Sequence, residues 1–210
     1  MGRRRKDRPD PRSPEPDLAP FAPRNGNHYA PTNFPLLGIQ PDPSRFYDRE
    51  YEPILKNMVE STLKQEAPIY EDVLVVRIAR AHGFQRSGDR IQSAVSKVLG
   101  KRYRKTHEDG RAVIWADNSP ESRLVSYRES QPEVRSHADT PIVELASLAL
   151  PFIRVCLSDE DILYRMASHF ELGRLREPTR VRFQSAIDAA RRSLSNGPAT
   201  GSQLQVTGLG

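Results

Sequence analysis

Arg90-Ile-Gln-Ser-Ala-Val95 returns 92 positions later as Arg182-Phe-Gln-Ser-Ala-Ile187. Glu71-Asp-Val-Leu-Val-Val-Arg-Ile-Ala79 returns 88 positions later as Asp159-Glu-Asp-Ile-Leu-Tyr-Arg-Met-Ala167. The apolar frame travels with them, because Ile69, Leu74, Ile78 and Phe84 match Leu157, Ile162, Met166 and Leu172. Any two amphipathic helix pairs share an apolar period, but the small, polar Gln-Ser-Ala run is more specific and marks a duplication. Two copies make a tandem rather than a solenoid. The four-residue difference in offset predicts a longer turn in the second copy.

Each copy reads as a helix-turn-helix. Tyr51, Ile54, Leu55, Met58, Val59, Thr62 and Leu63 recur at the i, i+3, i+4 spacing of an amphipathic helix. Pro53 is tolerable only in its first turn, and Pro68 closes it. A second helix is expected from about Glu71 to His82, with Gly83 free to take the left-handed conformation after it and Phe84 as the apolar residue that follows. A third spans roughly Gly88–Leu99. Arg102–Thr106 and Arg111–Ala116 then flank Glu108-Asp-Gly110, and Asp-Gly between two β-prone runs is a hairpin signal. Three helices followed by a hairpin is the order of a winged helix. After the second copy Ala190-Arg-Arg-Ser-Leu194 runs straight into the tail, with no wing. The expected fold is therefore mainly α, with tandem helix-turn-helix or winged-helix-like units, one short β-hairpin and a disordered N-terminal arm.

Composition sets the boundaries. Of 210 residues only 37% are hydrophobic and 7% aromatic, low for a chain folded throughout, and ten of the eighteen prolines lie in the first 43 residues. Residues 1–40 read as a disordered Pro/Arg-rich arm whose Arg3, Arg4, Arg5 and Lys6 can touch phosphates. Residues 41–118 read as the winged-helix-like unit and 119–139 as a linker. Residues 140–195 form the second unit, started by Thr140-Pro141 and interrupted at Pro151, and 196–210 a flexible tail.

The charge is local. The chain carries +5 with a pI near 9.5, and residues 86–105 alone hold seven basic side chains against Asp89. That stretch is thus +6 and everything else sums to −1, the distribution a phosphate-contacting surface requires. On the third helix Ile91, Val95 and Val98 point one way and Arg90, Ser93, Ser96 and Lys97 the other. Small hydroxyls between cations let a helix sit close to a groove. The nucleic-acid-binding residues expected here are Arg86, Arg90, Ser93, Lys97 and Lys101, with Arg102, Arg104 and Lys105 on the first strand of the wing. Arg176, Arg180 and Arg182 are the second copy's candidates, and its face is poorer because Asp188 and Ala189 replace Ser96 and Lys97.

No catalytic site assembles. Gly100-Lys-Arg102 lacks the Ser or Thr and the earlier glycine of a phosphate loop. Asp159-Glu-Asp161 sits where a helix start favours acids. Cys156, between Val155 and Leu157, reads as core, as does Trp115, which is expected to plug the hairpin. His82 reads as a partner for the helix C-terminus rather than a base. One cysteine excludes an internal disulfide, and the five histidines show no metal-ligand spacing. No cofactor or metal is expected. No apolar run approaches a membrane span and no signal sequence follows the basic start, so the chain is expected to be cytoplasmic, nucleoid-associated when bound to DNA.

Phe46-Tyr-Asp, Tyr51, Pro68-Ile, Leu74-Val-Val-Arg-Ile-Ala-Arg-Ala-His-Gly83 and Arg86-Ser-Gly-Asp-Arg-Ile91 together resemble a bacterial domain of unknown function, the family numbered 3320. The resemblance covers roughly Gly38 to Arg192. It implies a setting at the C-terminal end of large superfamily-1 DNA helicases, often beside a restriction-endonuclease-like domain, and supplies no catalytic residues. Motor and nuclease are absent from this chain. The expectation is a non-catalytic DNA-binding accessory module that holds duplex or forked DNA for a superfamily-1 helicase or nuclease. A module docking onto the helicase as a protein partner, and a small transcription regulator, are the alternatives, since the fold serves all three.

Overall fold

The computed structural model describes residues 27–116 and 124–195. Most of the expected arm, the start of the linker and the whole tail therefore lie outside the described residues. The elements are α1 (Glu52–Glu66), β1 (Ile69–Tyr70), α2 (Glu71–Ala81), α3 (Asp89–Leu99), β2 (Lys105–Glu108), β3 (Arg111–Ile114), α4 (Ile142–Arg154), α5 (Asp159–His169) and α6 (Glu177–Ser195). The strands form one antiparallel sheet in the order β1-β3-β2. Its hairpin turns at Asp109 and Gly110, both at positive φ, as an Asp-Gly turn demands. β1 was not expected: Pro68 does close α1, but the next two residues pair with Ile114 and Val113.

The duplication extends further than the sequence echo. α2 and α5 begin and end 88 residues apart, and so do the C-termini of α1 and α4. Both second helices stop in the same way. The amide of Phe84 reaches the Ala79 carbonyl at 3.0 Å, and that of Leu172 reaches Ala167 at 2.9 Å. The residues between are left-handed, Gly83 at φ 78° and Glu171 at φ 53°. The longer turn expected before the last helix is not found. Residues 82–88 and 170–176 are connections of equal length, and the four extra residues instead form a helical turn at the start of α6, which has 19 residues against 11 in α3.

Each unit has its own core. Leu55, Met58, Leu63, Leu74, Ile78, Ile91, Val95 and Leu99 close the first, and Leu145, Leu148, Ile162, Met166, Phe183 and Ile187 the second. Ile78 and Met166 are fully buried at matching places. A third cluster of Tyr70, Val113 and Trp115 joins the units and is completed by Val125 and Val143. Trp115 packs there as expected and donates its indole N–H to Thr106 at 2.9 Å.

Two segments differ from expectation. Residues 27–40 are not part of a free arm, because Tyr29, Thr32, Phe34 and Ile39 are buried. Glu66, at the end of α1, is fully buried and is satisfied by the Thr32 amide and hydroxyl, both at 2.8 Å, by the Tyr29 hydroxyl, and by Arg77 at 3.2 Å. A segment held by single side chains at irregular spacing has no period, so its prolines dominate the reading. Residues 124–139 are likewise no simple linker. Arg128 and Arg135 are buried against the carboxylate of Glu144 in α4, and Arg128 also reaches the Glu66 carbonyl at 3.0 Å. A carboxylate buried between two guanidiniums stays ionised. Burial opposes its charge, but Arg135 and Arg128 overcome that and hold it below the usual carboxylate range.

Cys156 is also corrected. It is exposed and left-handed at φ 58°, and Val155 beside it is exposed too, because α4 ends there and the chain turns.

Candidate nucleic-acid interface

α3 buries Ile91, Val95 and Leu99 on one side. Arg90, Ser93 and Lys97 face water on the other, three and four residues apart and thus on one stripe. Arg86 before the helix and Lys101 and Arg102 after it are exposed as well. The structure therefore gathers six of the expected residues at and around one helix. Among the described residues Arg86, Arg90 and Lys101 have no acidic partner.

Three other cations are already paired. Lys97 contacts Glu52 at 2.6 Å, Arg102 contacts Glu60 at 2.6 Å, and Lys105 contacts Glu71 at 2.9 Å. The acids come from α1 and α2, more than 30 residues away in sequence. Reading the local charge along the chain missed them. With these three the +6 of residues 86–105 becomes +3. Exposed pairs of this kind contribute only about 0–1 kcal/mol, so a phosphate can replace the carboxylate at small cost. Ser96 is withdrawn from the outward side by a 3.0 Å hydrogen bond to Glu71.

The hairpin departs from the role expected of it. Of Arg102, Arg104 and Lys105, only Lys105 lies on β2. Arg104 is half-buried, its guanidinium 3.9 Å over the Trp115 ring. It packs the hairpin and is not displayed on it. The tip is docked on the second unit. Asp109 pairs with Arg182 of α6, Glu108 accepts the Ile142 amide at the start of α4 at 2.9 Å, and Arg111 reaches the Ala138 carbonyl at 2.7 Å and Asp72 at 2.8 Å.

The second copy's candidates are not gathered into a comparable surface. Arg176 is exposed in the turn before α6, but Arg180 is held by both oxygens of Glu160, at 2.7 and 3.1 Å. Arg182 is only 8% exposed. It donates to the Tyr70 hydroxyl, to Asp109, and to the carbonyls of Thr140 at 2.7 Å and His137 at 3.3 Å. No phosphate can reach it, so it leaves the candidate interface. Its sequence neighbourhood gave no warning, because burial here comes from the hairpin of the other unit.

The helix-start reading of Asp159 and Glu160 holds. Ser158 caps α5, and the two acids pair with Arg191 and Arg180. His82 does serve the end of α2, donating from Nδ1 to the Ile78 carbonyl at 2.8 Å. Its Nε2 then accepts from the Tyr51 hydroxyl at 3.0 Å. Among the described residues no group of three His, Cys, Asp or Glu side chains is placed to hold a metal ion, and no helix is long and apolar enough to cross a membrane.

A family described as a protein of unknown function (DUF3320) matches residues 44–93, from the turn before α1 into α3. The match agrees with the family resemblance but takes in only α1, β1, α2 and the start of α3, leaving out the hairpin and the second unit, where the resemblance had implied Gly38 to Arg192. No curated protein and no solved structure matches the chain.

Proposed function

We propose that this chain is a non-catalytic module that holds DNA, with the first unit acting as a winged helix and α3 as the helix offered to the groove. The observation that carries the reading is the outward stripe of Arg90, Ser93 and Lys97, flanked by Arg86, Lys101 and Arg102, on a helix whose other side is core. Cations near both ends of the helix can meet the phosphates that border a groove, and small Ser93 between them lets the backbone approach. In this reading the hairpin is a strut that fixes α3 relative to the second unit, and the phosphate contacts come from the ends of α3. The machine it serves is a superfamily-1 helicase or nuclease, a partner that rests on the family resemblance.

The carboxylates of Glu52, Glu60 and Glu71 favour a second reading, a protein-docking surface, since interleaved charge of both signs suits a protein partner better than a polyanion. Duplex binding by the intact chain, titrated with salt, separates the two. Counterion release gives a steep negative log–log slope for DNA, whereas the docking reading predicts no retention of DNA even at low salt.

A further inference from the structure

Tyr47 is 49% exposed, although Phe46 and Tyr51 on either side of it in the chain are buried. The ring stands at the start of the basic stripe. The Arg90 guanidinium lies over it, 4.6 Å from the ring centre. Behind it the Phe46 ring meets Tyr47 edge-on at 5.1 Å, and Phe46 in turn packs edge-on against His82 at 4.8 Å and Phe84 at 5.2 Å. This cluster pins the backbone at Tyr47 to the end of α2, so the ring is held in place while half of it remains in water.

We propose that Tyr47 and Arg90 form a stacking ledge for one unpaired nucleobase at the edge of a duplex held by α3. The inference rests on the DNA-binding reading above and adds the form of DNA preferred, a duplex with a single-stranded extension. The chemistry is that of a planar aromatic and a planar cation, both of which accept a base face. The base joins the stack on the free side of the guanidinium or on the exposed part of the ring. Its flanking phosphates then lie beside Arg86 and Arg90, which carry no acidic partner among the described residues. Every base has a π-face, so the ledge selects an unpaired base without selecting its identity.

The competing view is that Tyr47 merely covers the stem of Arg90. A blunt duplex and the same duplex carrying an unpaired extension, with 2-aminopurine at the first unpaired position, distinguish the two. Stacking on an aromatic side chain corresponds to about a five- to tenfold higher affinity for the extended form at the low end of its usual strength. The intact chain is expected to show that preference and to quench the 2-aminopurine. Tyr47→Phe keeps both effects. Tyr47→Ala brings the affinity ratio of the two forms to near one and removes the quenching. Equal affinity of the unsubstituted chain for both forms, or a preference that survives in Tyr47→Ala, overturns the ledge while leaving duplex binding intact. Failure to hold either form at low salt overturns the DNA-binding reading and the ledge with it.

Discussion

Arg90 and Arg182 stand at matching places in the two units, and each lies over a tyrosine ring, Arg90 over Tyr47 at 4.6 Å and Arg182 over Tyr70 at 5.5 Å. Arg90 faces water, whereas Arg182 is sealed between the hairpin of the first unit and the start of α4. The duplication thus produced two copies of one arginine with different work. One is displayed, and the other ties the hairpin of the first unit to the start of α4 and to α6.

Arg182→Ala is expected to lower stability by about 1–3 kcal/mol for each buried acceptor it strands, the Tyr70 hydroxyl and the Thr140 carbonyl, while the half-exposed Asp109 returns to water. Arg90→Ala should stay within about 0.5 kcal/mol of the unsubstituted chain, as exposed substitutions do. Urea midpoints measure both. Equal, small effects would mean that Arg182 does not tie the units together.

Ile78→Ala and Met166→Ala should each cost about 2–5 kcal/mol, since both side chains are fully buried and the cavities cannot collapse completely. A large loss at one site and none at the other would break the equivalence of the two cores.

A chain beginning at residue 41 should unfold at clearly lower urea than one beginning at residue 27. The shorter chain loses buried Tyr29, Phe34 and Ile39 and strips Glu66 of its Thr32 and Tyr29 partners, leaving a fully buried carboxylate with Arg77 alone. Losing a single aromatic of this kind costs about 3–5 kcal/mol. Identical midpoints for the two chains would return residues 27–40 to the free arm.

These outcomes also mark what could be read from residues alone. The helices, the Asp-Gly turn and the tandem were legible because a 3.6 period, positive φ and the Gln-Ser-Ala echo are local signals. The wrap of residues 27–40 was not, since Tyr29 and Phe34 are isolated anchors without a period. Nor were the partners of the candidate site: Glu52, Glu60 and Glu71 reach Lys97, Arg102 and Lys105 only after α1 packs on α3 and α2 on the sheet. The burial of Arg182 required knowing that the hairpin folds back onto α6, a tertiary contact with no trace in its neighbours.

Acid should weaken the fold from just below neutrality. Burial pushes the imidazoles of His82, His137 and His169 below their ordinary 6.5, with Arg182 adding to the effect at His137. The Ile78 carbonyl and Asp42 oppose it at His82, as Asp139 does at His137 and Glu129 at His169, without cancelling it. A depressed folded pKa means that the unfolded chain takes up protons first. The stability these neutral rings support is therefore full above about pH 6.5 and is lost as the pH falls from there toward the folded values. Urea midpoints on either side of pH 6.5 report it, and a midpoint that does not move, or that rises on acidification, would contradict the assignment.

The most direct test of the central claim is the salt dependence of duplex DNA binding by the intact chain, compared with one carrying Arg86→Ala, Arg90→Ala and Lys101→Ala together. Among the described residues these three candidate cations near α3 have no acidic partner, and each phosphate contact contributes about −0.9 to the log–log slope. The account predicts DNA binding at low salt, weakened on every sequence by the triple substitution, with the slope flattened by about two to three. A chain that holds no DNA at low salt, or a slope that the triple substitution leaves unchanged, contradicts it.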